Sequence, residues 1–289
     1  MTEAGPPAAV VVNYNAGDHL IGCVRSLRSA GVERIVVVDN GSVDGSPAAL
    51  RAADPDVDVV DAGANLGFGT AVNRGAARVD SPLLLVLNPD AVLEPRAIKA
   101  LSAALDADQS LGIVGPRIEE PDGTWYPSAR SFPAMSDAIG HAFLGLVLPR
   151  NRFTRRYRML DADRSVAARV DWVSGACMLV RRPCFDQVGG FDEAYFMYGE
   201  DVDLCWRAWK AGWAVGYEPS GRVVHVQGVS TDRHPYRMIA AHHRSLLRFW
   251  WRSTPTGRRL LLVPFVTAGL GLRLLLAWVQ RGMIAVRAK

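Results

Sequence analysis

The sequence predicts an α/β fold: a mostly parallel sheet of β-α-β units flanked by helices, followed by a helical C-terminal tail. Three observations predict it. Short apolar runs recur near 8–12, 34–38, 57–60, 83–87 and 112–114. Segments of helical period lie between them, around 17–30, 45–53, 69–79 and 95–107, and such alternation argues for crossover units on a parallel sheet. Polar residues close the runs: Asn13-Tyr14-Asn15 the first, Asp39 the second and Asn88-Pro89-Asp90 the fourth. In open α/β sheets ligands bind at the carboxyl ends of the strands.

The elements follow in order. Ile35-Val36-Val37-Val38 and Leu83-Leu84-Leu85-Val86-Leu87 read as buried strands, being continuous β-branched or leucine runs of strand length. Pro95 suits the first turn of the fourth helix. Residues 116–170, with scattered Pro, Arg and aromatics, read as an irregular insertion on the acceptor side. A strand is expected from Trp172 to Val180, then a short helix after Pro183, a Gly189-Gly190 turn and a helix from Asp201 to Ala211.

Of 289 residues, 49% are hydrophobic and 21% charged, the balance of a folded chain. The net charge of +4 conceals an asymmetry. Residues 233–289 hold ten Arg, one Lys and no acid, whereas residues 1–232 hold 22 basic and 29 acidic residues, a balance of −7. An acidic body, 1–232, with a basic tail, 233–289, points to an anionic partner. The tail's apolar content favours a membrane surface over nucleic acid: Leu260–Val279 carries one charge, Arg273, in twenty residues, the length that spans a bilayer. Pro264, Gly269, Gly271 and Arg273 favour an interfacial helix as much as a spanning one, since a central charge costs about 2.5–3.5 kcal/mol on insertion. The remaining alternative is a helix buried against the body or a second subunit. Cys23, Cys177, Cys184 and Cys205 lack metal-type spacing and read as buried free thiols of a reducing cytoplasm. The N-terminus carries no secretory signal pattern.

Each motif has a bland reading beside a chemical one. Asn13, Asn15 and Asp39 either begin turns after strands or meet a nucleobase and ribose. The segment Asn65–Gly75, with Gly67, Asn73 and Arg74, opens a helix with glycines that allow phosphate to approach the backbone, yet it matches neither a dinucleotide nor a Walker fingerprint. Asn88 and Asp90 sit in a tight turn, and one carboxylate there suffices for Mg²⁺ or Mn²⁺ held mainly by substrate phosphate and water. Glu200, Asp201 and Asp203 open a helix, where acids stabilise the dipole by about 0.3–1 kcal/mol each. Framed by Tyr195-Phe196-Met197-Tyr198, Asp201 also suits a general base beside a sugar. His225 is either a satisfied strand histidine or a metal ligand opposite Asp90. Together the acidic clusters point to sugar transfer from a nucleotide-activated donor.

The set resembles the family-2 inverting glycosyltransferases of the A-type glycosyltransferase fold, in particular their bacterial rhamnosyltransferase branch. The resemblance runs through V-V-N-Y-N (11–15), V-V-D-N-G-S-x-D-G-S (37–46), N-x-G-F-G-x-A-x-N-R-G (65–75), the N-P-D turn (88–90), W-V-S-G-A (172–176), G-G-F-D-E-x-Y-F-M-Y-G-E-D-V-D-L-C-W-R (189–207), H-x-x-G-x-S (225–230) and H-R-S-L-L-R-F-W (243–250). It implies Asn13 and Asp39 on the nucleoside, with Asn15, Gly67, Asn73, Arg74 and Asn88 on the rest of the donor. It implies Asp90 on Mg²⁺ or Mn²⁺, His225 on the metal or the diphosphate, Asp201 as base with Glu200 as its neighbour or an acceptor contact, and Trp172, Ser174 and Gly175 at the acceptor. Asn88 stands where the family's D-x-D motif has its first Asp, which thins the metal shell. The branch implies dTDP-L-rhamnose as donor and a polyprenyl-diphosphate-linked sugar as acceptor, at the cytoplasmic face of the membrane in cell-wall or polysaccharide assembly. UDP-linked sugars such as galactofuranose or GlcNAc, and self-association of the chain, stay open. A nucleotidyltransferase would need a basic glycine-rich loop at 8–20, which holds one glycine and no Lys or Arg. A non-catalytic scaffold predicts decay of Asp39, Asp90 and Asp201, all of which are present.

Overall fold

The computed structural model describes residues 5–132, 163–226 and 235–287, with the single residues 151, 155 and 159. Much of the irregular insertion, and Gly228 and Ser230 of the His225 motif, lie outside the described residues. In order the elements are β1 (Ala8–Asn13), α1 (His19–Ser29), β2 (Arg34–Asp39), α2 (Ser46–Ala53), β3 (Asp58–Asp61), α3 (Phe68–Ala76), β4 (Leu83–Leu87), β5 (Ala91–Leu93), α4 (Ala97–Ala107), β6 (Leu111–Glu119), β7 (Trp125–Tyr126), β8 (Ala129–Arg130), β9 (Ala168–Arg169), β10 (Trp172–Val173), β11 (Cys177–Arg181), α5 (Arg182–Gln187), α6 (Glu200–Lys210), β12 (Ala214–His225), α7 (Pro235–Ser253) and α8 (Thr256–Arg287).

One sheet runs β3-β2-β1-β4-β11-β6-β12-β5, with β7 on β6 and β9 on β12. β1 to β4, β6 and β12 point one way; β11 lies antiparallel between β4 and β6, and β5 antiparallel on β12. The fully buried runs of β1 and β4 follow from cover on both faces. Val10, Val12, Val36, Val38, Leu84 and Val86 pack beneath α3, α5 and α6. Ala9, Val11, Ile35, Val37, Leu83 and Leu85 pack beneath α1, α2 and α4. Each such Val or Leu contributes roughly 1.5–3 kcal/mol by leaving water. All four cysteines are buried free thiols.

Two sequence expectations are corrected. The strand expected over Trp172–Val180 is two, because Trp172 pairs with Arg130 of β8 while Cys177 pairs with Leu87 of β4. Ser174-Gly175-Ala176 turns between the two sheets. Pro95 lies outside α4, which starts at Ala97 after an Ala97 N–H bond to the Glu94 carbonyl.

α7 closes over the body. His243, Ser245 and Phe249 are buried; Ser245 Oγ donates to the Met197 carbonyl at 3.0 Å. Arg248 binds Asp192 at 2.8 Å, Arg252 binds Asp192 and, at 3.3 Å, Asp203, and Arg207 binds Asp203 at 2.6 Å. Asp203 has no exposed surface, so removing either arginine leaves a buried carboxylate short of its counter-charge. α8 differs: Leu260, Leu261 and Phe265 are at least 70% exposed. Thr256–Trp278 is long and apolar enough to cross a membrane, with mean hydropathy 2.1.

Candidate active site

A cavity of about 480 Å³ opens where the strands end. On one side the turn after β4 carries Asn88 and Asp90. Because β5 runs antiparallel to β12 with Ala91 opposite His225, the residue before Ala91 is brought against that histidine; the Val226 N–H donates to the Asp90 carbonyl at 3.0 Å and fixes the register. His225 Nε2 lies 3.1 Å from Asp90 Oδ1 and 3.3 Å from the Asn88 amide nitrogen. Turning the Asn88 amide over presents its oxygen to the same point, an assignment hydrogen-bond logic alone decides. Carboxylate, imidazole and amide then converge, a donor set that suits Mn²⁺ or Mg²⁺ with phosphate and water completing the shell. Asp90 and His225 are two such ligands, and among the described residues no group of three or more His, Cys, Asp or Glu gathers here or elsewhere.

Across the cavity lie Glu200 and Asp201, at the start of α6. Gly199 takes φ +82° and turns the chain into the helix. Asp201 is held at both oxygens by backbone N–H groups, Gly175 at 3.0 Å and Val202 at 2.8 Å. The first exists because the chain leaves the sheet at Ser174–Ala176, so the Gly175 amide is free of any ladder. Burial pushes the Asp201 carboxyl up; the two amides and nearby Arg130 pull it partly back. Glu200 is pushed up to about 8, by burial first and by Asp201 second. One Glu200 oxygen, Oε2, is buried without a partner. The environments thus differ: the two amides and Arg130 favour the charged form of Asp201, whereas burial and the Asp201 charge chiefly act on Glu200 and favour its protonated form.

Trp172, Ser174 and Gly175 line the same wall. Beside them is Arg130, which the sequence reading did not single out. Its Nη2 donates to Tyr126 Oη at 2.9 Å and its Nε to the Pro127 carbonyl at 2.7 Å, and its guanidinium stands 4.9 Å from the Trp172 ring centre.

Other expected residues stand behind the wall. Asn13 is fully buried and donates to Asp39 Oδ1 at 2.9 Å and Ser46 Oγ at 2.9 Å; Asp39 Oδ2 accepts from the Ser42 N–H at 3.2 Å. Asn15 Oδ1 accepts from the Val43 N–H at 2.8 Å. These three tie the ends of β1 and β2 together, while Val12, Tyr14, Asn40 and Asn65 face the cavity. Asn73 both donates to the Phe191 carbonyl and accepts its N–H, each at 2.9 Å. Arg74 turns outward to the Ala62 carbonyl at 3.3 Å. Gly67, at φ +87°, lets the chain press on Phe196, whose carbonyl oxygen would lie 2.4 Å from a Cβ there, and the Phe68 N–H donates to that carbonyl at 3.1 Å. The glycine-rich segment is therefore a packing seam between α3 and the approach to α6.

The third wall is α7, with Arg237, Met238, His242, Ser245, Leu246 and Phe249. The sequence reading put this stretch in the basic tail, 233–289, although H-R-S-L-L-R-F-W (243–250) belongs to the family resemblance.

Known proteins share this sequence pattern and fold. Residues 8–189 match Glycosyl transferase family 2. An N-acetylglucosaminyl-diphospho-decaprenol L-rhamnosyltransferase of Mycobacterium tuberculosis is 40% identical, with all of this chain and 92% of that protein covered. Rhamnosyltransferase WbbL of Escherichia coli is 33% identical over 55% of this chain and 60% of its own length. The mannosyltransferase PcManGT of Pyrobaculum calidifontis, solved with GDP-Man and Mn²⁺, superposes with TM-score 0.59 at 16% identity, over 99% of this chain and 80% of that one. A profile match over more than half the chain, and a full-length relative at that identity, place the chain in the family-2 glycosyltransferases.

Proposed function

We propose that the protein transfers L-rhamnose from dTDP-L-rhamnose, with inversion, to a hydroxyl of polyprenyl-diphosphate-linked N-acetylglucosamine at the cytoplasmic membrane face. One observation carries the reaction type: Asp201, fixed by two backbone amides, stands across a single cavity from the Asn88–Asp90–His225 cluster. The rhamnosyl group and the lipid-linked acceptor rest on the 40% identity to the mycobacterial relative, and the dTDP carrier on the resemblance to the rhamnosyltransferase branch.

Asp201 takes the proton of the acceptor hydroxyl as its oxygen attacks the anomeric carbon. The bond from that carbon to the diphosphate breaks, and its electron pair leaves with the nucleoside diphosphate. A single displacement needs no covalent enzyme intermediate, so one general base suffices. Asp90, His225 and Asn88 would hold Mg²⁺ or Mn²⁺, which offsets the charge on the departing diphosphate when bound. Tyr14, Asn40 and Asn65 form the nucleoside side, positioned by Asn13 and Asp39; Trp172, Ser174 and Gly175 form the acceptor side. Residues 233–289 serve attachment through α8, whose apolar side chains face outward, while α7 stays with the catalytic body.

The test incubates full-length protein with dTDP-rhamnose, Mg²⁺ or Mn²⁺ and polyprenyl-diphosphate-GlcNAc, alongside Asp201→Asn. Wild type should form the rhamnosyl product, and the variant should lose about 10²–10⁴-fold in kcat, the range for a general base, with dTDP affinity retained. Product only from a UDP-sugar would overturn the donor, and full activity in the variant would overturn the base.

A further inference from the structure

We propose that Arg237 of α7, together with Arg130 of β8, forms a subsite for the diphosphate of the acceptor, so that α7 recognises substrate as well as joining the body to α8. This rests on the reading above that the acceptor is a lipid-linked diphosphate sugar.

Of the four arginines of α7, Arg244 is exposed and outside the cavity lining. Arg248 and Arg252 are committed to Asp192 and Asp203. Arg237 lines the cavity, is exposed there, and has no hydrogen-bond or ion-pair partner among the described residues. An arginine in a cavity wall without a carboxylate leaves its planar donors for an anion from solution, and phosphate accepts two of them at once. Arg130 supplies the second cation, preset by Tyr126, Pro127 and the Trp172 ring.

Position separates this subsite from the donor's phosphates. Those are served by the Asp90–His225 side, whereas Arg130 neighbours Asp201 closely enough to stabilise its charge. An acceptor hydroxyl at Asp201 leaves the diphosphate one sugar ring further out. Arg237 also adjoins the apolar tail: the neighbouring Tyr236 packs edge-on against Trp278 of α8, ring centres 6.3 Å apart. A diphosphate at Arg237 would therefore have its lipid chain beside the exposed apolar helix.

The experiment titrates full-length protein in mild detergent with farnesyl-diphosphate-GlcNAc, and separately with dTDP plus Mn²⁺, using wild type, Arg237→Gln, Arg237→Lys and Arg130→Gln. Loss of a charge-assisted pair should weaken acceptor binding about 10- to 100-fold in Arg237→Gln and in Arg130→Gln, less in Arg237→Lys, with dTDP affinity within about twofold; unchanged acceptor binding in Arg130→Gln removes Arg130 from the subsite. Retained dTDP affinity also reports an intact fold. Acceptor binding as tight in Arg237→Gln as in wild type overturns the subsite alone, and loss of dTDP affinity instead assigns Arg237 to the donor and overturns it too. A wild type that binds dTDP but no diphosphate acceptor overturns the acceptor reading and the subsite together.

Discussion

Replacing Glu200 with Gln should stabilise the protein, increasingly so as pH rises. Glu200 is buried beside Asp201 and its carboxyl is pushed from 4.5 to about 8 in the folded chain. A carboxyl whose folded pKa lies above its unfolded one costs stability as pH rises. The cost is absent below about pH 4.5, grows through the window up to about pH 8, and is constant beyond. At about 1.4 kcal/mol per unit the ceiling is roughly 4–5 kcal/mol. Sharing of the proton with Asp201, and water in the cavity, bring the expected difference to about 1–3 kcal/mol at pH 8. Gln matches the shape of the protonated acid and removes the titration. The assay is urea unfolding of the full chain and of Glu200→Gln in metal-free buffer from pH 5 to 9, followed by tryptophan fluorescence. The two stabilities should be nearly equal at pH 5 and diverge in favour of the variant above it. A variant less stable than wild type at pH 8, or curves that stay parallel, would refute the idea that Glu200 holds its proton.

Two further outcomes follow from the geometry. Asp90→Ala or His225→Ala should weaken Mn²⁺-dependent dTDP binding at least about tenfold, about 1.4 kcal/mol, measured calorimetrically; equal affinity with and without Mn²⁺ in wild type would remove the metal assignment. Gly67→Ala should cost about 3 kcal/mol or more in urea unfolding, because the new Cβ meets backbone atoms of Phe196 at 2.4–3.0 Å and the dihedrals, φ +87° and ψ 165°, suit glycine alone. A loss under about 1 kcal/mol would show that the seam yields.

Local signals were readable and distant pairings were not. Runs such as Leu83–Leu87 declare buried strands by composition, and their terminal Asn13, Asp39 and Asp90 fall where parallel strands end. Glu200 and Asp201 were visible because a helix start is a property of neighbouring residues. The reversal of β11 depends on which strands flank it, and β5, three residues long, is a strand only because β12 is there to pair with it. Asn73 and Gly67 carry the same letters in a phosphate loop and in a seam; only Phe191 and Phe196, more than a hundred positions away, decide between them. Arg130 lies in a segment without periodicity, and the cavity face of α7 looks like any basic amphipathic helix until the body is placed beneath it.

The seam between α3 and the chain leading into α6 acts as a gauge block. It is made of main-chain contact at Gly67, Phe68 and Phe196 and of the two-way bond between Asn73 and Phe191, with little side-chain freedom to absorb error. On the function proposed above, it sets the gap between the nucleoside side and Asp201 before either substrate arrives. On that same function, retargeting the enzyme to another sugar or nucleotide falls to Tyr14 and the acceptor wall, because Asn40 and Asn65 are themselves hydrogen-bonded to Leu66 and Gly67 of the seam. The glycines and Asn73 tolerate no such trade, because altering them changes a dimension on which every donor depends.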